Sequence, residues 1–194
     1  MFQSIMNRTP SLPVDDLIVR LVTPKDAACI AAYYQRNRAF LQPWEPLREE
    51  GFFTVAGWEK RLSQLAELHK HKLAYYFVII REETNEVCGV INYSNLVRHP
   101  FYACHVGYSL DAACQGQGLM RRALSATVTW MFEAQSFHRV MAAYMPRNQK
   151  SAAVLRATGF EIEGEARDYL LINGRWEDHI LTANINPNWT QPRT

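Results

Sequence analysis

Tyr108-Ser-Leu-Asp-Ala-Ala-Cys-Gln-Gly-Gln-Gly-Leu-Met-Arg-Arg-Ala-Leu124 is the stretch on which the reading of this chain turns. Its start continues a period-two pattern. Ala103, His105, Gly107 and Ser109 alternate with Cys104, Val106, Tyr108 and Leu110, as in a strand. A short polar break follows, and Gly116 and Gly118 stand two apart. A helical stripe then begins at once, with Met120, Leu124, Thr127, Val128 and Met131 on one face. A strand, a glycine-rich turn and a helix aim several backbone N–H groups and a helix dipole at one spot, which suits an anion and best a phosphate. Glycine at both positions leaves no Cβ to hold a ligand away from the backbone. Arg121 and Arg122 sit where a helix start prefers acidic residues, an arrangement that an external anion would neutralise. No Gly-Lys-Ser/Thr follows and the third glycine of a dinucleotide fingerprint is missing, so a pyrophosphate cradle of another kind is expected.

Outward from this stretch, 194 residues with 48% hydrophobic content suit one α/β domain with a full core. A net charge of +2, without a Lys/Arg run, argues against nucleic acid as the main ligand. Met1–Arg8 has no basic segment before an apolar block, so no signal peptide is expected. No apolar run approaches the ~20 residues of a membrane span. Cys29, Cys88, Cys104 and Cys114 lack Cys-x-x-Cys spacing and are expected as free thiols in a reducing cytoplasm, not as a disulfide or metal set.

In chain order, Leu17–Val22 reads as a strand. Thr23 then caps a helix with Pro24 at its first position, and Ile30, Ala31, Tyr33 and Tyr34 form its apolar face. Pro43 and Pro46 stiffen the loop Phe40–Pro46, which either shapes a substrate mouth or anchors the core. Thr54–Lys70 is amphipathic, with Trp58, Leu62, Leu65 and Leu68 at helical spacing. Ala74–Arg81, Val87–Val97 and residues 101–110 read as an antiparallel meander. After a helix over about 117–135 come a short strand, Arg139–Tyr144, and a helix capped by Asn148 and closed at Gly159 with Phe160 folded onto Leu155. Asn173-Gly174 joins Ile162–Ile172 to Trp176–Ala183 through a type I′ hairpin turn. The tail, 185–194, is expected to be extended. The core should span about 17–184 within a single domain over 1–194, with about seven strands and about four helices.

That order, with Gly-x-Gly between the fourth strand and third helix, resembles the GCN5-related N-acetyltransferase (GNAT) family. The family's loop reads Gln/Arg-x-x-Gly-x-Gly/Ala. Here it is Ala113-Cys-Gln-Gly116-Gln-Gly118, so the first position departs. Asn148-x-x-Ser151 followed by Gly159-Phe160 resembles a second family segment. Further blocks, Leu41–Pro46, Gln115–Met120, Tyr144–Pro146, Asp168–Gly174 and Pro187–Trp189, are similar to members that acetylate the N-terminal alanine of a small-subunit ribosomal protein.

The resemblance implies acetyl-CoA as co-substrate and acetyl transfer to a protein N-terminus by direct attack in a ternary complex. It places the pyrophosphate on Gln115, Gly116, Gln117, Gly118, Leu119 and Met120 with Arg121. The pantetheine arm would lie along Tyr108, Ser109 and Leu110, with a contact from Asn148, and Ser151 would assist thiolate departure. An α-amino group, with a pKa near ~8 against ~10.4 for lysine, needs only a weak base acting through a water. Asp168 and Glu45 are the candidates. In relatives acting on another ribosomal protein a glutamate sits where this chain has Leu170, and strand alternation would put Asp168 on the same face. His105 and His138 are read as structural. Two alternatives stay open: an acetyltransferase of a polyamine or drug-like amine, and a non-catalytic acyl-CoA-binding ribosome-assembly factor. The chain could be a monomer or a homodimer, and its partner could include the assembling small subunit.

Overall fold

The computed structural model describes residues 10–191, which build one eight-stranded sheet in the order β1-β2-β3-β4-β5-β6-β8-β7. Its strands are β1 (Ser11–Val14), β2 (Leu17–Leu21), β3 (Tyr75–Arg81), β4 (Glu86–Val97), β5 (Ala103–Leu110), β6 (Arg139–Tyr144), β7 (Glu161–Ile172) and β8 (Arg175–Ile185). The helices are α1 (Ala27–Arg36), the single turn α2 (Arg38–Leu41), α3 (Val55–Lys70), α4 (Leu119–Glu133) and α5 (Gln149–Ala157). All neighbouring strands are antiparallel except β5 and β6. The eighth strand is β1, absent from the sequence reading. Pro13 lies in it, tolerable because β1 is an edge strand that need not donate on its outer side.

Both faces of the sheet are covered, so β3 is apolar from Tyr75 to Ile80 yet still alternates between two cores. Tyr75, Phe77 and Ile79 enter a core shared with Met120, Leu124 and Val128 of α4 and Leu155 of α5. Val78 and Ile80 enter a second core under α1 and α3, with Tyr33, Tyr34, Phe52 and Trp58. Tyr34 stacks on Trp58 at 5.3 Å, and truncating so buried an aromatic typically costs about 3–5 kcal/mol. Leu68, expected on the buried stripe of α3, is 37% exposed: the helix outruns the core in its last turn.

Turn chemistry follows the sequence closely. Thr23 and Asp26 form a capping box, and Asp26 also takes a bidentate bond from Arg20. The Asn148 side chain accepts from the Ser151 N–H at 3.1 Å. Asn173 and Gly174 both have positive φ, as a type I′ turn requires. The tail behaves differently from the extended run expected. Residues 186–189 turn back, the Trp189 indole donates to the Ser136 carbonyl at 3.0 Å, and its ring lies 4.9 Å from Tyr102. Residues 192–194 of that tail, and the Met1–Arg8 start, lie outside the described residues.

β7 is the other outer strand, and it is irregular. Its register with β8 shifts between Ala166 and Leu170, where Asp168 has φ 45°. This bulge overturns the simple alternation that put Asp168 on the face of Leu170.

Candidate functional site

β5 and β6 pair only at Ala103–Arg139, Cys104–Val140 and His105–Met141. Beyond His105 the two strands part, while β4 continues to pair with β5 as far as Leu110. One edge of β5 from Val106 to Leu110 is therefore left without a partner strand. Main-chain donors and acceptors on such an edge need partners, and an extended ligand can supply them.

At the end of this edge the chain makes a short 3-10 turn, Ala112–Cys114, and then the glycine loop. Gly116 and Gly118 have φ of 74° and 70°, and Gly118 caps α4. A Cβ built on either would meet nothing in the protein within 4 Å. The loop is thus held open with its amides bare, at the positive end of a fifteen-residue helix. The site could accept a diphosphate as it stands.

The side chains around the loop differ from the expectation in part. Leu119 and Met120 are buried in the core, so only their backbone can face a ligand. Arg121 is exposed and makes no ion pair among the described residues. Arg122 is already neutralised inside the chain, by Asp15 at 2.7 Å and Asp16 at 2.8 Å in the β1–β2 turn. Of the two arginines expected to await an anion, one is taken. Gln117 receives a bond from Arg81 at 2.8 Å, and Gln115 receives one from Lys150.

What fixes the loop was not read from the sequence. Asp111 is buried and accepts from Arg36 at 2.6 Å, Asn37 at 2.8 Å and the Ala113 N–H at 2.9 Å. Asn37, also buried, returns a bond from the Ala112 N–H at 3.0 Å. Burial alone would raise the Asp111 carboxyl, but the bonds from Asn37, Ala113 and Arg36 outweigh it and hold the group below its ordinary value. The only hint in the sequence was an acidic residue ending a strand just before the loop.

Side chains on β5 near the parting point alternate between two hydroxyl pairs. The Tyr108 hydroxyl lies 2.8 Å from the Ser151 Oγ and 3.3 Å from the Ser151 carbonyl, on the α5 side. The Ser109 hydroxyl lies 2.9 Å from that of Tyr33, on the α1 side. Burial pushes the Tyr108 phenol up to about 12. Asn148, Ser151 and Tyr108 therefore form one group. Cys104 points into the core, and the half-buried His105 beside it has an unpartnered Nδ1. His138 packs on Trp189 at 5.4 Å, in keeping with a structural role.

The second wall comes from segments far apart in the chain. The loop Leu41–Leu47 bends through a 3-10 turn, Gln42–Trp44, and docks on the β7–β8 turn. There the Asn173 N–H donates to the Glu45 carbonyl at 2.9 Å, and Gln42 donates to Asn173 at 3.2 Å. Arg147 joins in, donating to the Pro43 carbonyl at 3.2 Å and to Glu177 at 3.0 Å, with its guanidinium 4.9 Å from the Trp44 ring. A groove of about 440 Å³ lies between Pro43, Arg147, Asn173 and Arg175. The Glu45 side chain is 18% exposed and lines a cavity of about 80 Å³ with Tyr34, Leu47, Arg48 and Phe53. Burial raises the Glu45 carboxyl above its ordinary value, and Arg48 at 3.5 Å offsets this only in part.

Asp168 is exposed on the β7 bulge, and its N–H donates to Asp178 at 2.8 Å. No hydrogen bond or ion pair among the described residues joins it to Glu45, Ser151 or the glycine loop. The two carboxylates of the sequence reading thus stand in unlike settings. Glu45 lines a cavity and burial raises its carboxyl above the ordinary value, the usual mark of a functional carboxylate.

Comparison with known proteins agrees with this geometry. The family described as "Acetyltransferase (GNAT) domain" matches residues 16–161. The chain is 48% identical to the [ribosomal protein uS5]-alanine N-acetyltransferase of Escherichia coli K12, over 94% of each chain. Among solved structures, the ribosomal-protein-S5-alanine acetyltransferase of Vibrio fischeri superimposes with a TM-score of 0.92 at 55% identity, covering 94% of this chain and all of that one. Mycobacterium smegmatis RimJ in complex with CoA-disulfide superimposes with a TM-score of 0.84 at 28% identity, covering 94% of this chain and 89% of that one.

Proposed function

The chain belongs to the GNAT acetyltransferase family, and from that membership we propose that it transfers the acetyl group of acetyl-CoA to the N-terminal alanine of ribosomal protein uS5. The observation that carries this reading is the bare edge of β5 running into the open glycine loop, in a chain so similar to known uS5-alanine acetyltransferases.

The residues divide the work as follows. The amides of Gln115, Gly116, Gln117 and Gly118, at the start of α4, hold the diphosphate, with Arg121 adding charge. The edge Tyr108–Leu110 pairs with the extended pantetheine arm, and the side-chain NH2 of Asn148 adds one contact. When bound, acetyl-CoA supplies the thioester. Backbone N–H groups on β5 face its carbonyl oxygen as negative charge builds there, a contribution typically worth about 3–4 kcal/mol per donor. Because these donors are main-chain groups, their number does not depend on side chains.

Glu45 receives the proton leaving the acceptor amine, through a water. Its burial-raised pKa brings it closer to that of an α-amino group than an exposed glutamate would be, which improves it as a base. Ser151 Oγ faces the departing sulfur. Asp168, exposed and engaged with Asp178 through its backbone, is the weaker candidate for the base. The groove between Pro43, Arg147 and Asn173 receives the chain that follows the acceptor's first residue.

The reading is tested by incubating the purified chain with acetyl-CoA and a peptide copying the N-terminus of uS5. One acetyl group on the α-amine, located by fragment mass spectrometry, is the expected product. Acetylation of spermidine in place of the peptide would favour a small-amine acceptor. Tight CoA binding without turnover of any amine would favour a non-catalytic role.

A further inference from the structure

For Ser151 to act at the departing sulfur its hydroxyl must be aimed there. An isolated serine on the first turn of a helix can rotate its O–H toward nearby backbone carbonyls. Here the Ser151 Oγ has a fixed neighbour, the Tyr108 hydroxyl at 2.8 Å, which also lies 3.3 Å from the Ser151 carbonyl. Tyr108 reaches it from β5, across the parting between β5 and β6. The contact spans 43 positions, so it is a product of the fold and not of local chain geometry.

We propose that Tyr108 is a positioning residue for acetyl transfer. It donates its proton to Ser151 Oγ, so that the serine's own proton is turned toward the departing sulfur of coenzyme A. The inference deepens the acetyltransferase reading and rests on it.

The pair acts as a hydrogen-bond donor and not as an acid. A thiol ordinarily loses its proton near ~8.5, while burial holds the Tyr108 phenol near about 12. Full proton transfer from that phenol to the thiolate would run more than a thousandfold uphill, since each pKa unit is a factor of ten. The same burial keeps Tyr108 protonated throughout the working range, so its donor is always present. In the step, the amine nitrogen forms the C–N bond, the C–S bond breaks, and sulfur keeps the electron pair. The resulting thiolate is met by the Ser151 O–H. The proton lost by nitrogen leaves through water, and the Ser151–Tyr108 pair ends the step with both its protons.

The test uses the full chain and four forms: wild type, Tyr108→Phe, Ser151→Ala and the double variant. The first readout is kcat with the uS5 peptide. Tyr108→Phe should lower kcat about five- to tenfold, the worth of one hydrogen bond, with the KM for acetyl-CoA within about twofold. The double variant should be no slower than Ser151→Ala alone, because Tyr108 acts only through the serine. Ser151→Thr, which keeps the hydroxyl, should retain most of the rate and preserves a test if Tyr108→Phe fails to fold. The second readout is the pKa of the thiol in bound CoA, from the pH dependence of its alkylation by iodoacetamide, with the CoA product separated by mass. Wild type should lower that pKa below its value in free CoA, and both single variants should raise it alike. Multiplying losses in the double variant, or a bound-thiol pKa that Tyr108→Phe leaves at the wild-type value while Ser151→Ala shifts it, would overturn the proposal. So would Ser151→Thr falling as far as Ser151→Ala. Failure of wild type to bind CoA at all would instead sink the acetyltransferase reading beneath it.

Discussion

The donor side and the acceptor side of this site are built on opposite plans. The donor side is a continuous run, β5, a short turn, two glycines and α4, in which the working groups are backbone amides. The acceptor side brings together residues 41–48, 147 and 172–177, and its working groups are side chains. A run of neighbouring residues can be placed by local turn rules. A wall assembled from distant segments depends on every bond that docks them. The difference predicts where damage should appear: in donor affinity on one side, in acceptor turnover on the other.

The largest expected effect tests whether the donor side is as self-contained as it looks. Asp111→Ala strips Arg36, Asn37 and the Ala113 N–H of their shared acceptor. Unfolding in urea should show a loss of about 3 kcal/mol, less than a fully buried pair would give because Arg36 is 44% exposed. The native Asp111 carboxyl is held below its unfolded value, so its contribution is present above pH ~4 and lost as pH falls through the lowered value. The acid-induced fall in stability should therefore be shallower in Asp111→Ala than in wild type.

Next comes the acceptor side. Glu45→Gln should lower kcat/KM for the uS5 peptide about a hundredfold, the lower range for loss of a general base, with acetyl-CoA affinity unchanged by calorimetry. Burial raises the Glu45 pKa, so the carboxylate forms only above that raised value. Activity in wild type should fall with decreasing pH through a limb above the range of an exposed glutamate, and Glu45→Gln should lack that limb. A limb that persists in Glu45→Gln and disappears in Asp168→Asn would hand the role to the bulge.

Gly118→Ala should weaken acetyl-CoA at least tenfold while leaving the acceptor KM unchanged at saturating donor. The added methyl meets nothing in the protein, so its cost is the left-handed φ of 70°, about 1–2 kcal/mol, plus intrusion into ligand space. The smallest effect belongs to Gln42→Ala. It removes one exposed bond between the loop and the hairpin turn, and should raise the peptide KM by about two- to threefold with kcat and donor affinity unaltered.

Legibility in the sequence divides differently, between features set by neighbouring residues and contacts made over long separations, and both kinds occur on each side. β5, α4, the Asn148 cap, the Gly159 terminus and the Asn173-Gly174 turn are each specified within a few residues, and each was readable. The pairing of Arg122 with Asp15 and Asp16 was not, since those residues lie 107 and 106 positions away. Nor was the bonding of Asp111 to Arg36, 75 positions away. The bulge at Asp168 escaped because alternation cannot announce its own interruption. Strand β1 was missed because four residues including a proline carry too little period-two signal. The two candidate bases looked alike as letters. Only packing told the cavity-lining carboxylate from the solvated one.

The bulge in β7 has a consequence for the molecule among its own kind. A twelve-residue outermost strand presents a ready template for another copy to zip onto, the first move toward filaments. Although Ile162, Leu170 and Leu171 are exposed there, the kink at Asp168 and the exposed charges of Glu161, Glu163, Glu165 and Arg167 break up a flat, neutral seam along that border. The irregularity that misdirects a simple reading of the strand also interrupts the seam along which a second copy would pair.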